Sequence, residues 1–244
     1  MKNIKILFCL LLCIFSFQYY VKAYGSSVGS LSFPKNIVLN EKKADLFKYI
    51  LDDTHSSPEE CNVMAVFSTD EQGEKVVNRI FQNLLEYEKL DKKVLRNNGL
   101  YSIEFGHSYI NGYIESVQYE NYNIITVNVV EKCDDYELPY LKNMVEECLS
   151  NVGEKCQYYQ YVKAKVQMGN VTTVNRKLED TLKNIGTSNI KTVPLNQGYS
   201  STAYTHMFDP IQSNGDLIDF NYSVVKYSTG IYIIMGTPEI MTTY

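Results

Sequence analysis

The chain has 244 residues, with 23 Lys and Arg against 28 Asp and Glu, 21 tyrosines and no tryptophan. A formal charge of −5 and only three arginines, Arg79, Arg96 and Arg176, argue against nucleic acid and anionic membrane as partners, because affinity for phosphate comes from basic side chains that release counterions or grip it with two bonds. The length is enough to bury a core as one domain or two small ones.

Lys2 and Lys5 precede an apolar run over 6–17, and Val21-Lys22-Ala23 sets residues of modest size where a signal peptidase reads. Residues 1–23 are therefore expected to be a secretory signal and Tyr24 the mature start; three lysines and no acid leave with it, which takes the formal charge to near −8. The run falls short of the roughly 20 residues that span a bilayer, so an uncleaved N-terminal anchor is the alternative. Cys9 follows Phe8 and Cys13 follows Leu12, where a lipid-modified cysteine wants a small neighbour.

Past the leader Gly25-Ser26-Ser27-Val28-Gly29-Ser30, the segment 24–60 carries Leu46, Phe47, Ile50 and Leu51 at helical spacing, a helix that should stop before Ser56-Ser57-Pro58. A first unit, 61–153, opens with an apolar strand over 61–67. Ser68 and Glu71 have capping-box spacing ahead of Val76, Val77, Ile80, Phe81, Leu84 and Leu85 on one stripe, which predicts a helix over about 70–90. Strands over 100–105, 109–119 and 122–131 follow, then a helix with Leu138, Leu141, Met144, Val145, Cys148, Leu149 and Val152 inward, capped at Gly153.

A second unit, 154–244, repeats that order. A strand over 156–167 places Val162, Ala164 and Val166 on one face, and a helix over 170–185 stops at Gly186. Strands fill the rest, with Phe220, Tyr222 and Val224 alternating against Asp219, Asn221 and Ser223, and Thr229-Gly230 as a turn. Strands joined by turns with one crossing helix per unit argue α+β, as duplicated strand-helix-strands-helix units with antiparallel sheets. Tyrosine runs such as Tyr158-Tyr159-Gln160-Tyr161 suit the wet face of a half-exposed sheet.

Four cysteines follow the signal, Cys61, Cys133, Cys148 and Cys156, spaced 72, 15 and 8 apart with no C-x-x-C pair; in an exported chain that favours disulfides over zinc. Three pairings are open, and shared core-facing registers favour Cys61 with Cys133 and Cys148 with Cys156, against four reduced core thiols. His55, His107 and His206 stand far apart without paired spacing, and neither metal nor cofactor is expected. Gly106-His107-Ser108 begins like a nucleophile elbow, but Ile110 occupies the second glycine's place and a strand follows.

Near the C-terminus, Gly198-Tyr199-Ser200 with Ala203-Tyr204, Asn221 followed by Lys226-Tyr227, and Gly236-Thr237-Pro238 resemble the YwmB family of secreted proteins from Gram-positive spore-forming bacteria. Lys226 stands where that family prefers arginine, and Glu239-Ile240-Met241 is less aliphatic than its tail. The resemblance implies a fold labelled TATA-box-binding-protein-like and no established catalytic residues. DNA binding does not follow from the label, since a minor-groove saddle needs basic side chains that a charge near −8 does not supply. The expected function is a non-enzymatic secreted or cell-envelope module that binds a protein, peptide or glycan, linked to cell-wall remodelling or sporulation. A secreted hydrolase with a site assembled from distant residues is the alternative. The tail is expected to bulge at Gly236-Thr237-Pro238 and continue along the sheet over 240–244 as a clasp, against a competing view of Thr237 and Tyr244 as ligand contacts.

Overall fold

The computed structural model describes residues 45–152 and 155–242, so the expected signal and leader, Gly153, and Thr243 and Tyr244 lie outside the described residues. Asp45 caps the first helix, its carboxylate accepting the Lys48 N–H at 3.1 Å, and Leu46, Phe47, Ile50 and Leu51 line the buried side of α1 (Leu46–Thr54). The next strand, β1 (Ser56–Thr69), is twice the expected length. Ser56-Ser57-Pro58 begins it instead of breaking the chain, because the register with its neighbour slips between Pro58 and Glu60 and the bulge accommodates a residue with no N–H to donate.

That extension also overturns the expected capping box. Ser68 is paired in the ladder, and the helix starts later, as α2 (Gly73–Leu84), with no side-chain cap at Gln72. Gly73 fits where a methyl group would lie 1.9 Å from the Ser116 hydroxyl, so the helix start rests directly on the sheet. A strand the pattern does not show follows, β2 (Asp91–Asn97), exposed along its whole length. Its lysines and absent alternation mark it as a protected edge rather than a half-buried strand.

The remaining elements lie close to their predicted positions. They are β3 (Leu100–His107), β4 (Ile110–Gln118), β5 (Asn123–Lys132), α3 (Leu138–Leu149), β6 (Gln157–Val166) and α4 (Val171–Asn184), the last held by a reciprocal cap between Asn170 and Thr173. Four further strands and a small hairpin complete the chain: β7 (Ser188–Leu195), β8 (Gly198–Tyr204), β9 (Ile211–Ser213) with β10 (Asp216–Ile218), β11 (Phe220–Tyr227) and β12 (Gly230–Thr237). None of the described helices is long and apolar enough to cross a membrane.

The fold is α+β. One ten-stranded sheet runs β2-β3-β4-β5-β1-β6-β12-β11-β8-β7, every neighbouring pair antiparallel, and β9 pairs with β10 apart from it. The four described helices press their apolar stripes on one face, where Cys61, Val63, Ala65 and Phe67 of β1 meet Val162 and Ala164 of β6 and Ile233 and Met235 of β12 in a single core. The opposite face carries a smaller cluster, Tyr161, Val225, Tyr232 and Ile234.

Strand β11 departs from the expected alternation. Asp219, Asn221 and Ser223 are buried along with the apolar residues between them. Asp219, wholly enclosed, accepts four hydrogen bonds, from the N–H groups of Thr205 at 2.6 Å, Met207 at 3.0 Å and Phe208 at 3.2 Å and from the Thr205 hydroxyl at 2.8 Å. Those donors replace the water it gives up and pin the segment that leads into the β9–β10 hairpin.

Candidate functional site

Two tight hairpins end side by side. The β7–β8 turn, Asn196-Gln197, and the β11–β12 turn, Ser228-Thr229, are tied by the Lys226 N–H bonding the Gln197 carbonyl at 2.9 Å. The first turn of α4 comes up beside them, and together they border an open depression of about 730 Å³. Gly198 allows the junction: a methyl group on it would stand 1.9 Å from the Val224 carbonyl oxygen, so only glycine lets β8 lie this close to β11.

Tyr199, on the helix side of the sheet, gives the depression its aromatic wall, and Asn196, Gln197, Thr172 and Ser228 bring amides and hydroxyls; Tyr227 borders the depression at the end of β11 while its ring lies with the cluster on the opposite face. The Tyr199 hydroxyl lies 3.4 Å from that of Thr172, linking strand to helix. Tyr227 is steadied by an edge-on ring contact with Tyr232, centroids 5.4 Å apart, and by the Lys163 ammonium 5.5 Å from its ring. Lys226 is the one charged side chain of the lining; no carboxylate, imidazole or thiol stands among the described residues there. Such a surface can stack a flat or puckered ring and hydrogen-bond neutral polar groups, but it offers no acid–base pair or nucleophile with its base.

The other sequence-singled residues assemble one step inward, as a clasp. Gly236 pairs with Asn221 on one side and Tyr161 on the other without a register shift, so the expected bulge is absent. The ladder ends at Thr237, the Thr237–Pro238 peptide is cis, and residues 239–242 leave the sheet instead of continuing it. Ile240 packs over the second cluster beside Gly236, where an added methyl group would come within 3.0 Å of it. Asn221 holds both layers: its side-chain N–H donates to the Ser201 carbonyl at 2.7 Å, and its oxygen accepts the Ile240 N–H at 3.4 Å. Thr237 is buried, which removes it as a ligand contact on an accessible tip. Ser200 lies between the two groups, paired with Ser223 and Val193.

The cysteines divide. None of the four is joined in a disulfide, so neither expected pair is bonded in this structure. Cys61 and Cys133 nevertheless meet, Sγ to Sγ at 3.4 Å, while Cys148 lies buried on α3 and Cys156 half-buried ahead of β6. Burial drives the Cys148 thiol up to about 12.

The histidines remain apart. His55 ends α1 in the left-handed region, His107 stands 4.0 Å from Asp91 on the exposed β2–β3 edge, and His206 contacts the Ser188 hydroxyl at 3.1 Å and the Tyr204 ring. Among the described residues no carboxylate bonds His206, so the serine–histidine contact lacks the third member that would orient it. Gly106-His107-Ser108 forms a hairpin end between β3 and β4, not an elbow into a helix. Sequence reasoning singled out Gly198, Tyr199 and Tyr227 but missed Asn196, Gln197 and Thr172, whose relevance comes only from the meeting of two hairpins and a helix end. Compared with known proteins, the chain matches no family model and no curated protein.

Proposed function

We propose that the chain is an exported, non-enzymatic module of the YwmB type that binds a cell-wall glycan in the depression walled by Tyr199 and bordered by Tyr227. The observation that carries this reading is the convergence there of three motif residues, Gly198, Tyr199 and Tyr227, with neutral amides and hydroxyls. Aromatic rings bury the apolar face of a sugar, and amides and hydroxyls replace the water around its polar rim.

The strand order supports the finer reading of the fold as duplicated TATA-box-binding-protein-like units. Outward from the β1–β6 seam the sheet runs β5, β4, β3, β2 on one side and β12, β11, β8, β7 on the other. Each seam strand leads into a helix, α2 or α4. α3 packs beside α2, and α1, which precedes β1 in the chain, packs beside α4 in the corresponding place. Duplex DNA stays outside the proposal, given the acidic charge.

Tyrosine fluorescence of the purified chain should change saturably on titration with soluble peptidoglycan glycan-strand fragments. Tyr199→Ala should weaken binding roughly tenfold or more, the scale of a lost aromatic contact, while Tyr122→Ala on the β4–β5 hairpin leaves it unchanged. Saturable binding of peptides with none of glycan, or equal loss in both variants, would overturn the assignment.

A further inference from the structure

We propose that Cys61 and Cys133 form a thiol pair built for reversible oxidation, with Cys133 the sulfur that meets an external disulfide and Cys61 the thiol that resolves it into an internal bond. Three observations carry this. The two sulfurs lie 3.4 Å apart. Cys61 is wholly enclosed in the core stripe of β1, whereas Cys133, one residue past the end of β5, is only half-buried. The Cys133 N–H donates to the Glu59 carbonyl at 3.2 Å, so the backbone that carries it is already held against β1.

A disulfide has a sulfur separation of about 2.05 Å. Bringing the two sulfurs together is a matter of side-chain rotation, with the strands already paired. Of the other expected pair, Cys148 is packed in the core and Cys156 shares a hydrogen bond with Tyr158, and no bond joins them. The hydrogen bond the two thiols share lowers the Cys133 thiol from its ordinary value, against burial and the charges of Glu131, Glu137 and Asp134, which oppose ionisation.

The chemistry balances with a small disulfide R–S–S–R as oxidant. The Cys133 thiolate attacks one of its sulfurs, the S–S bond of the oxidant breaks, one RS⁻ thiolate leaves, and a mixed disulfide Cys133–S–S–R remains. Cys61 then gives up its proton and its sulfur attacks Sγ of Cys133, expelling the second thiolate. Two protein thiols lose two electrons and two protons, and the oxidant becomes two thiols. The new bond closes a loop around α2 and β2 to β5 and ties β1 to the approach of α3.

The test uses the whole purified chain, reduced, desalted and exposed to glutathione disulfide. The wild type should lose two hydrogens, and non-reducing peptide mapping should join Cys61 to Cys133 while Cys148 and Cys156 remain alkylatable after denaturation. Cys61→Ser should stop at one glutathionyl group on Cys133, and Cys133→Ser should leave Cys61 unmodified in the folded protein. A stable glutathione adduct on wild-type Cys133, a first link between Cys148 and Cys156, or no reaction at all would overturn the proposal. The wild-type map decides it even if a variant fails to fold.

Discussion

At Gly198 a single missing methyl group decides whether two strands can meet. The space that group would need is filled by the Val224 carbonyl, which cannot yield without opening the β8–β11 ladder. Gly198→Ala should therefore cost roughly 2 kcal/mol or more in urea denaturation, with the far-ultraviolet spectrum otherwise retained. A midpoint equal to that of the parent would show that the strands have room to spare. Glu115 offers a second test. It is buried on β4 with no hydrogen-bonding partner among the described residues, and burial holds its carboxyl above the ordinary range. The unfolded chain ionises this group first, near pH 4.3, so it is neutral in both states below that value; as the pH rises through the folded value, ionisation weakens the fold. Glu115→Gln should stabilise the protein at neutral pH by on the order of 1 kcal/mol and have no effect near pH 3.5, read as thermal midpoints across that range. An equal gain at both pH values would contradict this account. Residue by residue, the motif glycines, Asn221 and Pro238 are legible in sequence because each does something at the backbone that few residues can. Asn196 and Gln197 are not, since any polar pair satisfies a hairpin turn.

Among the elements, the tail is the one whose course the sequence mistakes. Alternating Ile240 and Met241 suggests a strand, but Gly236 leaves a gap on the sheet and the chain turns back over it to set Ile240 on Tyr161, Val225, Tyr232 and Ile234. A clasp survives in changed form, sealing the face opposite the helices. Ile240→Asp would place a charge against that cluster and should cost roughly 2 kcal/mol, with a loss of near-ultraviolet tyrosine signal. A variant that melts like the parent would mean the tail rests there without holding anything. Oxidation gives the complementary prediction: a bond between Cys61 and Cys133 closes a 72-residue span and should raise stability by about 4 kcal/mol on the chain-entropy model. Paired denaturation curves of oxidised and reduced protein check it, and coincident curves would show native-state strain cancelling the gain. β2 stays invisible to pattern because an edge strand needs no buried face, and β1 reads short because proline is tolerated at its bulge.

For the whole molecule, helix-period stripes and alternating strands were enough to specify α+β, since one-sided burial is what both patterns encode. The strand order was not legible, because nothing local states that β1 and β6 lie at the centre or that two hairpins end beside α4. Charge is a property of the same scale. With acids in excess, a mobility-shift titration at moderate salt should give no saturable complex with duplex DNA tighter than the non-specific range of roughly 10⁻⁴ to 10⁻⁶ M, and a tight, sequence-dependent shift would contradict the reading of the surface. The proposed binding site is tested most directly by amide chemical-shift mapping of the labelled chain during titration with peptidoglycan glycan fragments. The account predicts that the largest changes fall on 195–199 and 226–228, with a smaller set at the start of α4. Changes centred instead on the sheet face where Met64 of β1, Asn128 of β5 and Tyr113 of β4 stand abreast, or none at a saturating concentration, would contradict it.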